Sequence, residues 1–111
     1  MKRVFASIQL YTQDEGGRKN PLHLSVYRPT AFFRTIPALA ERGRDFRMFA
    51  TPRTPNELIF PGEVVNEVEL RFLWPDDVLP YMQEGVRFSI WEGKTVGEGT
   101  VVRVEDDPSS K

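Results

Sequence analysis

The sequence predicts an all-β domain, a closed barrel or a sandwich, on three observations. Apolar residues recur with period two along most of the 111-residue chain. The runs are short, six or seven in number, and separated by clusters of Gly, Pro, Asn and Asp. Only two stretches break the pattern, and each is too short to hold as an independent helix.

The elements follow in order. In the first run Val4, Ala6, Ile8 and Leu10 share one face, and Phe5, Ser7, Gln9 and Tyr11 the other. Asp14-Glu15-Gly16-Gly17 closes it as a tight turn in which glycine permits positive φ. Shorter strands are expected at Leu22–Tyr27 and Ala31–Thr35, with Arg28-Pro29 fixing an extended entry between them. Pro37 to Gly43 has proline early and glycine late, the pattern of a one- or two-turn helix. A strand at Phe46–Ala50 precedes a loop from Pro52 to Asn56 and the Pro61-Gly62-Glu63 turn.

The next strand sets Val64, Asn66, Val68, Leu70 and Phe72 against Val65, Glu67, Glu69 and Arg71. Pro80 to Gly85 reads as a second short helical turn. Val86, Phe88 and Ile90 then alternate with Arg87, Ser89 and Trp91, and Glu92-Gly93-Lys94 turns the chain into a strand at Gly99–Val104. Gly97 and Gly99 within a strand mark a bulge or a close backbone approach. Residues 1–105 are expected to form one barrel domain and 106–111 a charged, frayed tail.

Composition narrows the function classes. The chain has no cysteine, hence no disulfide or thiolate metal site, and one histidine, His23. After Met-Lys-Arg comes strand-like alternation rather than the roughly 7–15-residue apolar run of a secretory signal, so a cytoplasmic chain without a membrane span is expected. The net charge of −1 divides into +6 for residues 1–55 and −7 for residues 56–111, a split that can build one basic and one acidic face.

Catalytic constellations are missing from the pattern. Gly97-Glu98-Gly99-Thr100 lacks the lysine and the strand-to-helix setting of a phosphate loop, so no GTP or GDP binding is expected. His23 alternates with Leu22 and Leu24 in a strand, with nothing marking a nucleophile or an orienting acid beside it. Asp14-Glu15, Asp76-Asp77 and Asp106-Asp107 are adjacent in sequence, whereas hydrolytic pairs need a set spatial separation; acidic residues at turns cap backbone N–H groups. The reading is a binding module without cofactor, not an enzyme. Arg28, Phe32, Phe33 and Arg34, with Arg42, Arg44, Arg47 and Arg53 behind them, carry the cation-and-aromatic composition that holds single-stranded nucleic acid. Phe32 and Phe33 point to opposite faces, so one of them belongs to the core.

Three runs are more specific. Tyr11-Thr12-Gln13-Asp14-Glu15-Gly16-Gly17-Arg18 is followed by Tyr27-Arg28-Pro29-Thr30-Ala31-Phe32-Phe33-Arg34-Thr35, and later by Gly85-Val86-Arg87-Phe88-Ser89-Ile90-Trp91-Glu92-Gly93-Lys94-Thr95-Val96-Gly97-Glu98-Gly99-Thr100. Together they resemble, over about residues 4–104, the third, C-terminal domain of elongation factor Tu. The resemblance implies a six-stranded antiparallel closed barrel and a connection to translation, because that domain contacts the T-stem of aminoacyl-tRNA. It implies RNA-edge roles for Arg18, Glu92 and Gly93. Departures fall on the same edge. Lys19 stands where the family has histidine, Thr30 where it has glutamine, Trp91 where it has arginine and Trp74 where it has a basic residue or histidine. The loops around Pro37–Gly43 and Pro75–Gly85 are longer than the family's.

Two functional expectations result. One is a stand-alone, translation-associated binding module that meets tRNA or a protein through Arg18, Lys19, Arg28, Trp74, Trp91, Glu92 and Gly93. The other is a protein-interaction adaptor that reuses the barrel and no longer binds tRNA, with Arg18, Trp74, Trp91 and Glu92 as a composite patch. For Arg18, Arg28 and Arg34 the competing reading is simple pairing with Asp14, Glu15 or Glu67 on the barrel rim.

Overall fold

The computed structural model describes residues 2–24, 27–43, 46–52, 54 and 57–106. Its elements are β1 (Lys2–Leu10), β2 (Leu22–His23), β3 (Thr30–Phe32), α1 (Pro37–Ala40), β4 (Phe46–Thr51), β5 (Leu58–Ile59), β6 (Val64–Phe72), α2 (Pro75–Val78) with a 3₁₀ turn at Leu79–Tyr81, β7 (Arg87–Trp91) and β8 (Thr95–Asp106). Six strands close into a barrel in the order β1-β6-β4-β3-β7-β8, and every neighbouring pair is antiparallel. β2 and β5 pair separately as a small ribbon at its side.

Alternation predicts the inner face well along β1, where Val4, Ala6, Ile8 and Leu10 are all buried. Phe5 points outward yet is also buried, because Arg3 and Arg103 lie over its ring at 5.2 and 4.0 Å. Inside, Phe33 is the hub: its ring meets those of Phe46, Phe72 and Phe88 at 6.0, 6.1 and 5.7 Å between centroids. Phe88 faces Gly99 across the β7–β8 ladder, and a Cβ on Gly99 would sit 2.2 Å from the end of that ring. On Gly97 it would sit 2.4 Å from the Gln9 carbonyl oxygen. Close approach, as expected, is why these two strand positions are glycine.

The first half of β6 departs from simple alternation. Val65 is buried while Val64 and Asn66 are exposed, the reverse of the expected phase, and Val68, Leu70 and Phe72 then point inward as expected. A bulge against β1 absorbs the extra residue, between the pairs Ala6–Val68 and Ile8–Val65. Within it Glu67 takes φ +54°, the left-handed region, and its carboxylate accepts from Arg103 Nε at 3.2 Å. One inserted residue flips every side chain before it to the other face.

Several element bounds differ from those expected. A helical turn is present at the expected Pro80, in the 3₁₀ segment Leu79–Tyr81, and α2 precedes it from Pro75 with Asp76 and Asp77 in a first turn that favours acids. β8 begins at Thr95, upstream of Gly99, and runs to Asp106. β5 was not foreseen, since two residues carry no readable period. α1 matches the start of the expected helix at Pro37 but ends at Ala40. The strand expected at Leu22–Tyr27 is regular only at Leu22–His23, and Ser25 and Val26 lie outside the described residues. Of the expected tail, 106–111, Asp106 is the last residue of β8 and the rest lies outside them, as does much of the loop from Pro52 to Asn56.

Candidate functional site

Two turns from opposite ends of the chain meet on one rim of the barrel. The first is locked by its own hydrogen bonds. Thr12 N donates to Glu15 Oε1 at 2.8 Å, Glu15 N to Thr12 Oγ1 at 3.2 Å, and Gly17 N to the Thr12 carbonyl at 2.8 Å. The Thr12 backbone N–H, then its hydroxyl, stabilise the Glu15 carboxylate and hold its pKa below the usual range. Gly16 adopts φ +93°, whereas Gly17 is needed for a different reason: a Cβ there would lie 2.2 Å from the Tyr11 carbonyl oxygen. Arg18 therefore leaves the turn in a fixed direction.

The second turn is the β7–β8 hairpin. Glu92 N donates to the Lys94 carbonyl at 2.8 Å, and Gly93 supplies φ +82°. A bulge between Ile90 and Trp91 sets Trp91 opposite Thr95. Glu92 is thereby aimed back at Arg18, whose Nη1 lies 2.5 Å from Glu92 Oε1. Arg18 Nε also donates to the Asn20 carbonyl at 3.2 Å. Beneath them Tyr27, only 7 % exposed, donates its hydroxyl to Glu92 Oε2. Burial first, and the Glu92 carboxylate second, push the Tyr27 phenol far above its ordinary value. The guanidinium of Arg18 lies 5.8 Å from the Tyr27 ring centre.

Arg18 and Glu92 line a shallow depression of about 480 Å³ together with Gln13, Gly17, Lys19, Asn20 and Lys94. Lys19 and Lys94 are exposed on it. Its lining side chains end in amide, carboxylate, guanidinium and ammonium groups. Such a surface suits a hydrated, polar, anionic edge better than an apolar small molecule. Among the described residues, no three or more His, Asp or Glu side chains converge as metal ligands would. Nor is any helix long and apolar enough to cross a membrane.

No protein-family model matches the chain. The geometry therefore carries the reading of the site.

The structure brings Arg18, Lys19, Glu92 and Gly93 together. Arg18 pairs with Glu92, not with Asp14, Glu15 or Glu67; Glu15 is bound within its own turn, and Glu67 meets Arg103. Arg28 and Arg34 lie over the Phe49 and Phe32 rings, at 4.7 and 5.6 Å. Trp91 is half-buried on the outer face of β7, opposite Thr30, and Thr30 in turn faces Arg47 on β4. Trp74, 52 % exposed, follows the end of β6, so β3 and β4 stand between the two tryptophans in the sheet. Of the composite patch, Arg18 and Glu92 are a pair in direct contact. Phe33 is the core partner of the Phe32–Phe33 pair. Arg44 and Arg53 lie outside the described residues.

Sequence reasoning missed Tyr27 as the anchor of Glu92, and Gln13, Asn20 and Lys94 as lining. The Tyr-Arg-Pro run gave the one available signal for Tyr27, but was read only for its backbone.

Proposed function

We propose that the chain is a binding module resembling the third domain of elongation factor Tu, associated with translation and without chemistry or nucleotide binding of its own. Its Arg18–Glu92 depression would hold the sugar–phosphate edge of structured RNA. The observation that supports this most is the joining of Arg18 and Glu92, 74 residues apart, over Tyr27. These are residues the resemblance assigns to the RNA edge. Arg18 is committed to Glu92 and to Asn20, so it positions the rim; Lys19 and Lys94 are the cations left to meet phosphates.

The test is binding of a fluorescent hairpin RNA with an acceptor–T-stem duplex, measured by anisotropy across a salt series. Two phosphate contacts predict a log–log salt slope near −1.8, on the order of −0.9 per phosphate. Lys19→Ala and Lys94→Ala should each reduce that slope by about one. A slope unchanged in both variants refutes the reading, as does micromolar GTP or GDP affinity in calorimetry for the nucleotide part.

A second reading, the protein-interaction adaptor, is favoured by one observation. Leu73, Trp74 and Tyr81 are exposed around α2, at 46 %, 52 % and 42 %, and exposed aromatics are common anchors of protein interfaces. A protein partner whose affinity is insensitive to salt and falls about 2 kcal/mol or more with Trp74→Ala would favour it over the RNA reading.

A further inference from the structure

The outer face of β4 gathers positive charge that the described residues do not neutralise. Phe49 is half-buried there, with the Arg28 guanidinium 4.7 Å from its ring centre. Arg71 stands opposite Phe49 on β6, which places the two Cα atoms about 5 Å apart. Arg47 lies two residues earlier on the same face of β4, roughly 7 Å along the strand. All three arginines are exposed, and among the described residues none of them meets a carboxylate or a carbonyl. Two carboxylates on the flanking segments are committed elsewhere: Glu69 to Arg3 at 3.1 Å and Asp77 to Arg42 at 2.7 Å.

Like charges on neighbouring strands repel, so a face of this kind is complementary to a polyanion. The aromatic at its centre narrows the choice. A guanidinium already stacked on a ring offers its other plane to a nucleobase, and cations interleaved with aromatics on a sheet hold single strands. An acidic peptide would use the cations but leave the stack idle, and a duplex keeps its base faces covered. We propose that this face binds single-stranded nucleic acid, with Arg47 and Arg71 on backbone phosphates and the Arg28–Phe49 stack under a base. None of these residues lines the Arg18–Glu92 depression, so the proposal goes beyond the reading of that site and does not depend on it.

The experiment is anisotropy with a labelled single-stranded RNA of about 12 nucleotides, within the range of known single-strand sites. Two phosphate contacts predict a salt slope near −1.4, hence a roughly sevenfold loss of affinity from 50 to 200 mM salt. The Arg47→Gln/Arg71→Gln double variant alters only exposed side chains. It should weaken binding at least fivefold at low salt and flatten the slope by about 1.4. Phe49→Leu, with folding checked by circular dichroism, should weaken binding while leaving the slope in place. Lys19→Ala should leave this strand's binding unchanged even where it weakens the hairpin RNA, which separates the two sites. The proposal is overturned by absent binding at 50 mM salt, by an unaffected arginine double variant, or by a Phe49→Leu variant that binds normally. Equal affinity for a duplex, or equally effective competition by poly-glutamate, overturns it as well.

Discussion

Replacing Tyr27 by Phe removes one hydroxyl from the base of the Arg18–Glu92 pair and nothing else. The ring stays 7 % exposed and keeps its packing, so the change isolates the hydrogen bond to Glu92. A bond to a charged acceptor contributes about 1.5–3 kcal/mol. Arg18 still holds the other carboxylate oxygen at 2.5 Å, which keeps the expected loss near the middle, about 2 kcal/mol at pH 7. The phenol also gives the loss a pH signature. Its folded pKa is raised, while the unfolded chain titrates near the ordinary value of about 10. The unfolded state therefore loses a proton first on raising the pH, and the contribution is complete below pH 10 and falls above it. One proton released corresponds to about 1.4 kcal/mol per pH unit. Urea unfolding at pH 7 and at steps from pH 9 to 11 should show wild type losing its advantage over Tyr27→Phe at up to that rate. Tyr11, raised by its own burial and by Glu98, remains in both proteins and cancels in the difference. A variant within 0.5 kcal/mol of wild type at pH 7, or a difference independent of pH, would refute the reasoning.

Two glycines give sharper structural tests. Gly99→Ala puts a methyl 2.2 Å from a ring carbon of Phe88, against a preferred contact of about 3.5–4.0 Å; Phe88 is 4 % exposed and packed at a tilt against Phe33. Thermal and urea unfolding should show a loss of about 2–3 kcal/mol, with Phe88→Leu restoring at least about 1 kcal/mol of it in the double variant. Gly17→Ala meets a backbone carbonyl instead of a movable side chain; it should cost about 2 kcal/mol or more and shift the nuclear magnetic resonance signals of Arg18 and Glu92.

The fold was legible where one residue's face fixes the next. The strict alternation of β1 and of Val86 to Trp91 needs no knowledge of partners, since burial on one side of a sheet is enough to write it. It failed at Asn66 and Glu67, where the chain carries one residue more than its partner strand. Nothing in Val64 to Phe72 marks that surplus, because all of its residues fit a strand equally well; only the register against β1 exposes it. Each of two prolines opens a helical turn, Pro75 that of α2 and Pro80 the 3₁₀ segment, and only the second was marked by a glycine after it.

The site was legible in part and for a different reason. Arg18 and Glu92 were found through the run of residues around each, yet their contact is a property of closure: β8 returns beside β1, which carries the hairpin of residue 92 to the turn after residue 10. The charge split shows the same effect. Barrel order sets β6, from the acidic half, against β4 from the basic half, so the halves cannot form two separate faces. What survives as a basic surface is the residue set whose acidic neighbours on β6 are already engaged: Glu69 turns to Arg3 and Glu67 to Arg103, leaving Arg47 and Arg71 around Phe49. Counting charges along the chain finds that a surplus exists; only the pairing of strands decides where it is left.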